Sequence, residues 1–307
     1  MEPKKKRLFW FALSFVSTVM IILWWMVVQF YQEYRNMPSH HLIGNRPSTV
    51  AGLKEQGLPF SFLVIGDTRG KETAEVAIKM AMEKGDSSFL VVLGDFVTRP
   101  DIWDHRFFLA EMTMEINPPF PVFLAAGNHD IDHLSSEIKE RERRVTPEIY
   151  ESLYGARNFD FVFNHCLFIL CDVDWREPTS YLNYLRDILI KKAKEKKHIF
   201  VFIHYPPKGL AGHIKAPLPD EEEFFSTVDE YKQVTLFFGH HHGYWRGRRG
   251  GINVVVTGGG GAVLRPDPSA RFHNILRVTV DHDKVGEELI ALQGRTGLED
   301  RKACSMV

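Results

Sequence analysis

The sequence predicts an α/β domain carried behind one membrane-spanning helix, and three observations predict it. Short apolar runs recur along the chain and each stops at a turn residue, as strands buried on both faces do. Stretches with helical spacing separate several of these runs, which gives the strand, helix, strand order of an α/β sheet. Ahead of both lies an uncharged run over residues 8–30, long enough at about 1.5 Å per residue to cross a hydrocarbon layer of about 30 Å. We therefore divide the chain into a cytoplasmic tip and transmembrane anchor (1–31), a tether (32–58) and a single α/β domain (59–307).

The anchor comes first. Lys4, Lys5, Lys6 and Arg7 precede the apolar run and Arg35 follows it, so the excess of positive charge keeps the N-terminus cytoplasmic and puts the rest of the chain outside the cytoplasm. Trp10, Trp24, Trp25 and Tyr31 fall toward its ends, where amphipathic rings prefer the headgroup region. The run exceeds the apolar core of a cleavable leader, and no small-residue cleavage site follows it, so we expect a retained anchor. A helix apolar on every side has no face for water. The tether is inferred from mixed composition and from Gly44, Pro47, Gly52 and Gly57.

Within the domain, runs at 60–65, 89–93 and 122–126 read as buried strands. Residues 71–84 show helical spacing through Ala74, Ala77, Ile78 and Ala81, and the stretch before Asn117 is also helical. A strand pair is expected at 159–163 and 167–173, then a helix over 181–196 whose basic end suits the helix dipole. Strands at 199–204, 234–239, 252–257, 275–280 and 289–292 complete the domain. The segments 132–151 and 208–219 read as loops.

Composition narrows the function. The chain has 307 residues, 44% of them hydrophobic and 25% charged, with a net charge of −1. That is globular composition without the basic excess of a polyanion binder, so nucleic acid is not the expected partner. Cys166, Cys171 and Cys304 form neither a disulfide framework nor a metal-binding pair, and the first two should lie on opposite faces of a strand.

Metal-capable residues gather at the C-terminal ends of the strands, where open α/β sheets bind ligands. The fragments are Gly66-Asp67-Thr68-Arg69-Gly70, Gly94-Asp95-Phe96-Val97-Thr98-Arg99, Gly127-Asn128-His129-Asp130, His204-Tyr205-Pro206 and Gly239-His240-His241-His242. Any one of them is an ordinary turn or core histidine; five in order, each at a strand end, are a site.

This ordered set resembles the calcineurin-like metallophosphoesterases, from residue 60 to His242, and Gly258 to Gly261 is similar to the tail of bacterial members. The resemblance implies a sandwich of two mixed β-sheets flanked by helices. It also implies two divalent ions of the Mn, Fe or Zn kind and hydrolysis of a phosphomonoester, phosphodiester or pyrophosphate by a hydroxide held between them. Carried over by position, Asp95 would bridge the ions, Asp67 and His242 would hold the first, and Asn128, His204 and His240 the second. His129 would donate the leaving-group proton or steady the transition state, and Asp130 would orient it.

The pattern departs at Arg69, where the family carries a metal-binding histidine. Arginine cannot ligate a cation. The first site then has fewer protein ligands, or another group completes it, or one ion is held tightly; Arg69 itself would grip a phosphate oxygen or form a salt bridge. Thr98 stands where some members carry Asp, which leaves Arg99 as a second phosphate contact. His241 is read as an outward or supporting residue, His273 as structural and His213 as a loop residue lining a substrate cleft, and none is counted in the site. A membrane anchor favours a lipid-linked substrate, beside phosphorylated small molecules. The competing reading, raised by Arg69, is a catalytically silent, membrane-tethered metal-binding scaffold.

Overall fold

The computed structural model describes residues 3–35, 42–54, 57–133, 144–208, 216–265, 272–293 and 302–306. The chain divides into two compact units, 1–39 and 40–307. The first contains the helix α1 (Pro3–Arg35), whose segment Trp10–Gln29 has a mean hydropathy of 2.2, with none of its most apolar window buried. It is long and apolar enough to be a membrane span or a signal sequence.

The second unit opens with a short helix, α2 (Pro47–Ala51), then alternates β1 (Phe60–Ile65), α3 (Glu72–Glu83), β2 (Leu90–Leu93), α4 (Ile102–Ala110) and β3 (Val122–Ala125). Helix α4 runs on into a π-helical turn, Glu111–Ile116. Next come α5 (Pro147–Tyr154), β4 (Phe159–Phe163), β5 (Cys166–Cys171), α6 (Ser180–Lys192), β6 (Ile199–Ile203), α7 (Glu221–Asp229) and β7 (Val234–Phe238). The strands β8 (Tyr244–Arg249), β9 (Ile252–Thr257), β10 (His273–Val280), β11 (Val285–Gln293) and β12 (Lys302–Met306) follow.

Among the described residues the strands form two six-stranded sheets, β12-β11-β10-β1-β2-β3 and β4-β5-β6-β7-β9-β8. In the first, β1, β2 and β3 are parallel and β10 runs against β1. In the second, β5, β6, β7 and β9 are parallel, with β4 and β8 antiparallel at the edges. This is the α/β domain that the sequence pattern predicts, in the form of two mixed sheets flanked by helices that the resemblance implies.

Period-two alternation explains why the strands are apolar throughout. Phe62 and Val64 of β1 enter the layer between the sheets, whereas Leu63 and Ile65 enter the layer under α3, α4 and α5. Likewise Cys166 faces the inter-sheet layer and Cys171 the layer under α6 and α7, on opposite faces as expected. The inter-sheet layer is a seam of phenylalanines. Phe62 stacks on Phe89 at 5.0 Å and meets Phe200 edge-on at 5.2 Å, and Phe200 stacks on Phe168 at 5.1 Å. Each ring removed from water is worth about 1.5–3 kcal/mol, so this layer is a principal term holding the sheets face to face.

Residues 42–54 do not hang free as a tether. Val122 of β3, the outermost strand of its sheet, donates its N–H to the carbonyl of Leu42 (2.7 Å) and accepts from the N–H of Gly44 (2.9 Å). Asn45 is 2% exposed; its side chain donates to the carbonyls of Leu124 (2.7 Å) and Ala156 (2.9 Å) and accepts from the N–H of Leu124 (3.0 Å). The segment therefore covers a sheet edge that would otherwise be open. Composition gave no sign of this, because main-chain groups and one asparagine side chain make the attachment.

Helices α5 and α7 and strand β8 were not expected, and α5 begins inside the segment read as a loop. Residues 134–143 and 209–215, which include His213 and much of both expected loops, lie outside the described residues.

Replacing Asn45 by Ala strands the buried N–H and carbonyl of Leu124. The expected cost is roughly 3 kcal/mol, read as a lower urea midpoint at unchanged m-value; an unchanged midpoint would show that residues 42–54 are not integral to the domain.

Candidate metal centre

Each ligand-bearing turn leaves the C-terminal end of a parallel strand, β1, β2 or β3 of one sheet and β6 or β7 of the other, so the two sheets meet at one rim. To turn back over that rim, Asp67, Asp95 and His240 take left-handed backbone conformations, with φ of 56°, 52° and 63°. Asp, Asn and His bear that conformation better than branched residues do. Gly94 is required by close approach. Its φ is 83°, and a Cβ there would lie 2.7 Å from both the Gly127 N and the His204 Nδ1.

The turn after β2 is held by Asp130. The Asp130 carboxylate, 0% exposed, accepts backbone N–H groups from Asp95 (2.7 Å) and Gly127 (2.8 Å) on Oδ2 and from Phe96 (2.9 Å) and Val97 (3.3 Å) on Oδ1. Burial and the neighbouring Asp95 hold its pKa well above the ordinary carboxylate range, with the N–H groups of Gly127, Val97 and Asp95 offsetting only part of the rise. All four neighbours are donors, so the ionised form suits the pocket. This corrects the expected contact: Asp130 does not orient the His129 ring. His129 Nδ1 instead lies 2.6 Å from the Thr98 carbonyl, to which it donates, leaving Nε2 free 4.0 Å from Asp95 Oδ2.

Two ligand groups share Asp95. Asp95, His204 and His240 offer ligand atoms within 4.8 Å of one another, as do Asp67, Asp95 and His242. Asn128 Oδ1 lies 3.3 Å from His204 Nε2, and His240 Nδ1 lies 3.1 Å from the same nitrogen. The main chain sets the tautomers. His204 Nδ1 donates to the Leu93 carbonyl (2.7 Å) and His242 Nδ1 to the Val263 carbonyl (2.7 Å), so each presents an Nε2 lone pair to the rim. His204 Nε2 is 3.4 Å from Asp95 Oδ1, and His242 Nε2 is 3.4 Å from Asp67 Oδ1. Burial opposes charge on Asp95, but His204, Arg69 and His129 outweigh it and lower its pKa. Burial likewise opposes charge on His242, and Asp67 outweighs it, raising that pKa.

A family model described as calcineurin-like phosphoesterase matches residues 60–244, more than half of the chain. The chain belongs to the calcineurin-like phosphoesterase family.

Solved structures support the fold. A purple acid phosphatase from yellow lupin (Lupinus luteus) superposes with a TM-score of 0.61 at 17% identity, over 77% of this chain and 52% of that one. A dimetal phosphatase from Danio rerio gives a TM-score of 0.51 at 15% identity, over 76% of this chain and 95% of that one. GAP50, described as the anchor in the inner membrane complex of Plasmodium, gives 0.54 at 11%, over 81% and 88%. Among curated proteins, the DNA polymerase II small subunit of Methanothermobacter thermautotrophicus is 26% identical over 215 residues, 62% of this chain and 40% of that one. The chain thus spans less than half of that relative and about half of the lupin phosphatase.

The phosphoesterase residues suit divalent metal ions. Asp67 Oδ1 is buried without a hydrogen-bond partner, and the donor set mixes carboxylate, imidazole and amide. The structure also brings Arg69 to the rim: its Nη2 donates to Asp95 Oδ2 at 2.8 Å, the salt bridge among the two expected roles. Its Nη1 lies 3.1 Å from His129 Nδ1, an approach of two donors rather than a hydrogen bond. Arg99 does not reach the ligands. It sits 3.7 Å from Asp104 and lines, with Arg69, Thr98, Phe107 and Glu111, a cleft of about 940 Å³ beside them. His241 is buried next to the rim, and His273 donates to the Gly259 carbonyl at 3.0 Å, a structural contact.

Sequence reasoning missed the carbonyls of Leu93, Thr98 and Val263, for which no side-chain signal exists. It also missed His105. This buried imidazole pairs with Tyr154 Oη (3.0 Å) and donates to the Asp130 carbonyl (2.9 Å), bracing the site from beneath.

Burial lowers the His105 pKa from 6.5 to about 4. A depressed folded-state value means that its contribution is present above pH 6.5 and is lost as pH falls from 6.5 toward 4. The loss is about 3 kcal/mol at most. Urea midpoints of the metal-free protein at pH 7 and pH 4.5 should differ less in His105→Gln than in the wild type; an equal difference would remove His105 as the cause.

Proposed function

We propose that this chain is a membrane-anchored, metal-dependent phosphoesterase acting on a phosphomonoester, phosphodiester or pyrophosphate. The observation that carries the proposal is the pair of ligand groups joined at Asp95, with the buried Asp67 Oδ1 lacking a hydrogen bond and facing His242 Nε2 at 3.4 Å. Asp67, Asp95 and His242 would hold one divalent ion and Asp95, Asn128, His204 and His240 another, of the Mn, Fe or Zn kind. Bound there, the ions would neutralise phosphoryl charge and acidify a water.

The chain's own groups do the rest. His129 carries its proton on Nδ1 toward Thr98, so its half-exposed Nε2 edge is positioned to manage the leaving-group proton. Arg69 and Arg99 face a cleft that supports a role in holding phosphate. Its lining combines Phe107, Phe108 and several carboxylates with these two arginines, so a substrate with a polar group beyond the phosphate fits it. The apolar helix supports a lipid-linked substrate or a phosphorylated small molecule presented at a membrane surface.

Arg69 on the shared carboxylate favours a second reading, a silent scaffold of the same fold. Turnover of p-nitrophenyl phosphate and bis(p-nitrophenyl) phosphate with Mn, Fe or Zn separates the two. Activity should fall by at least about 10²-fold in Asp95→Ala and His129→Ala. A folded protein inactive with every metal and with a panel of lipid and metabolite phosphates would establish the scaffold.

Four basic residues before the apolar run support a cytoplasmic N-terminus and an extracytoplasmic domain. Alkaline phosphatase fused after Val307 should be active in the compartment outside the cytoplasm, and activity of a cytoplasmic reporter at the same point would reverse the orientation.

A further inference from the structure

Arg69 is bound into the centre by both main chain and side chain. Its φ is 54°, its N–H donates to the Asp95 carbonyl at 3.0 Å, and its own carbonyl accepts from Thr98 Oγ1 at 3.1 Å. The backbone therefore cannot carry the side chain away. Nη2 holds Asp95 Oδ2, the oxygen left over once Oδ1 faces His204 and accepts the His129 N–H at 2.8 Å. The guanidinium is nonetheless under-satisfied: Nε is buried without a partner, and Nη1 abuts a His129 nitrogen that already donates to Thr98. Its spare donors point to an anion.

Charge sharpens the point. The side chains of Asp67, Asp95, Asp130 and Arg69 together carry two net negative charges. One divalent ion neutralises them, and a second would leave two uncompensated positive charges at the centre unless an anion entered with it. The two ligand groups also differ. Arg69 Nη2 holds Asp95 Oδ2, while Asp95 Oδ1 faces His204 of the other group.

We propose that Arg69 is a built-in competitor for the Asp67/His242 site, so that the chain holds one divalent ion tightly and takes up the second together with phosphate. The inference rests on the metal-centre reading above. In the metal-poor state the guanidinium occupies Asp95 Oδ2. A phosphate oxygen offers it a bidentate partner, and its transfer to phosphate releases that carboxylate oxygen for the second ion. Phosphate and the second ion then bind cooperatively, each strengthening the other by the same factor.

The test is metal content, measured by plasma mass spectrometry on the full chain in detergent after equilibration with Mn²⁺ and rapid desalting. The wild type should retain about one ion without inorganic phosphate and about two when phosphate is present throughout, with the second ion bound about tenfold more tightly. Arg69→His, which supplies an imidazole ligand, and Arg69→Met, which removes the charge, should each hold about two ions without phosphate. Two ions in the phosphate-free wild type, or a phosphate-independent count of one, would overturn the competitor role. The wild-type comparison needs no variant, so misfolding of either substitution leaves it decisive. No retained ion under any condition would instead overturn the metal-centre reading itself.

Discussion

Four backbone N–H groups converging on the Asp130 carboxylate hold the rest of the site in place. The strand β2 must end abruptly for Asp95 to face the rim, and the left-handed turn that does this leaves several N–H groups unsatisfied in a dry interior. A buried donor without a partner costs about 1–3 kcal/mol, so the turn is affordable only with an acceptor beneath it. Asp130 supplies both oxygens, and His105 fixes its carbonyl from below. The residue therefore acts on the chemistry by shaping the loop that carries Asp95 and its own neighbours Asn128 and His129. This is why Gly-Asn-His-Asp behaves as one unit.

The sandwich gives that staple its setting. Parallel strands in both sheets bring their C-terminal ends to a common edge, and the phenylalanine seam keeps the sheets in a fixed relation. Cross-sheet hydrogen bonds complete the rim: His204 reaches the Leu93 carbonyl of the opposite sheet, and the His240 N–H donates to Asp67 Oδ2 at 2.8 Å. His204, His242 and Asp67 are thereby oriented by groups on other elements, as ligand-bearing side chains of metal sites are. Within this arrangement Arg69 sets a positive charge against the shared carboxylate, at the position where the family resemblance implies a histidine.

Much of the architecture was legible in the sequence. Strands buried on both faces leave nearly continuous apolar runs, and β1, β2, β3, β7 and β9 each ended at or just before a glycine, so most strands could be read directly. Helix α3 was readable from Ala74, Ala77, Ile78 and Ala81, which the fold buries. Helix α5 escaped although Thr146 and Pro147 form a regular start, with the Thr146 hydroxyl accepting the Ile149 N–H. Helix α7 carried an equally plain cue in its three leading glutamates. Strand β8 was hidden because an edge strand with glycine and arginines lacks an apolar stripe.

The sequence by itself determined the strand-end order of metal-capable residues and the apolar N-terminal helix, since these depend on residue type and spacing alone, and it placed Arg69 where the family resemblance implies a histidine. Tertiary structure decided which partners those residues take. It attached residues 42–54 through Asn45, turned Asp130 away from His129 and toward the backbone, and set Arg69 on Asp95. Such choices depend on which donors and acceptors meet across 26 to 111 residues of chain, as Arg69 and Asp95 do at the short end and His204 and Leu93 at the long one. Local pattern carries no record of those encounters, because main-chain groups are the same at every position.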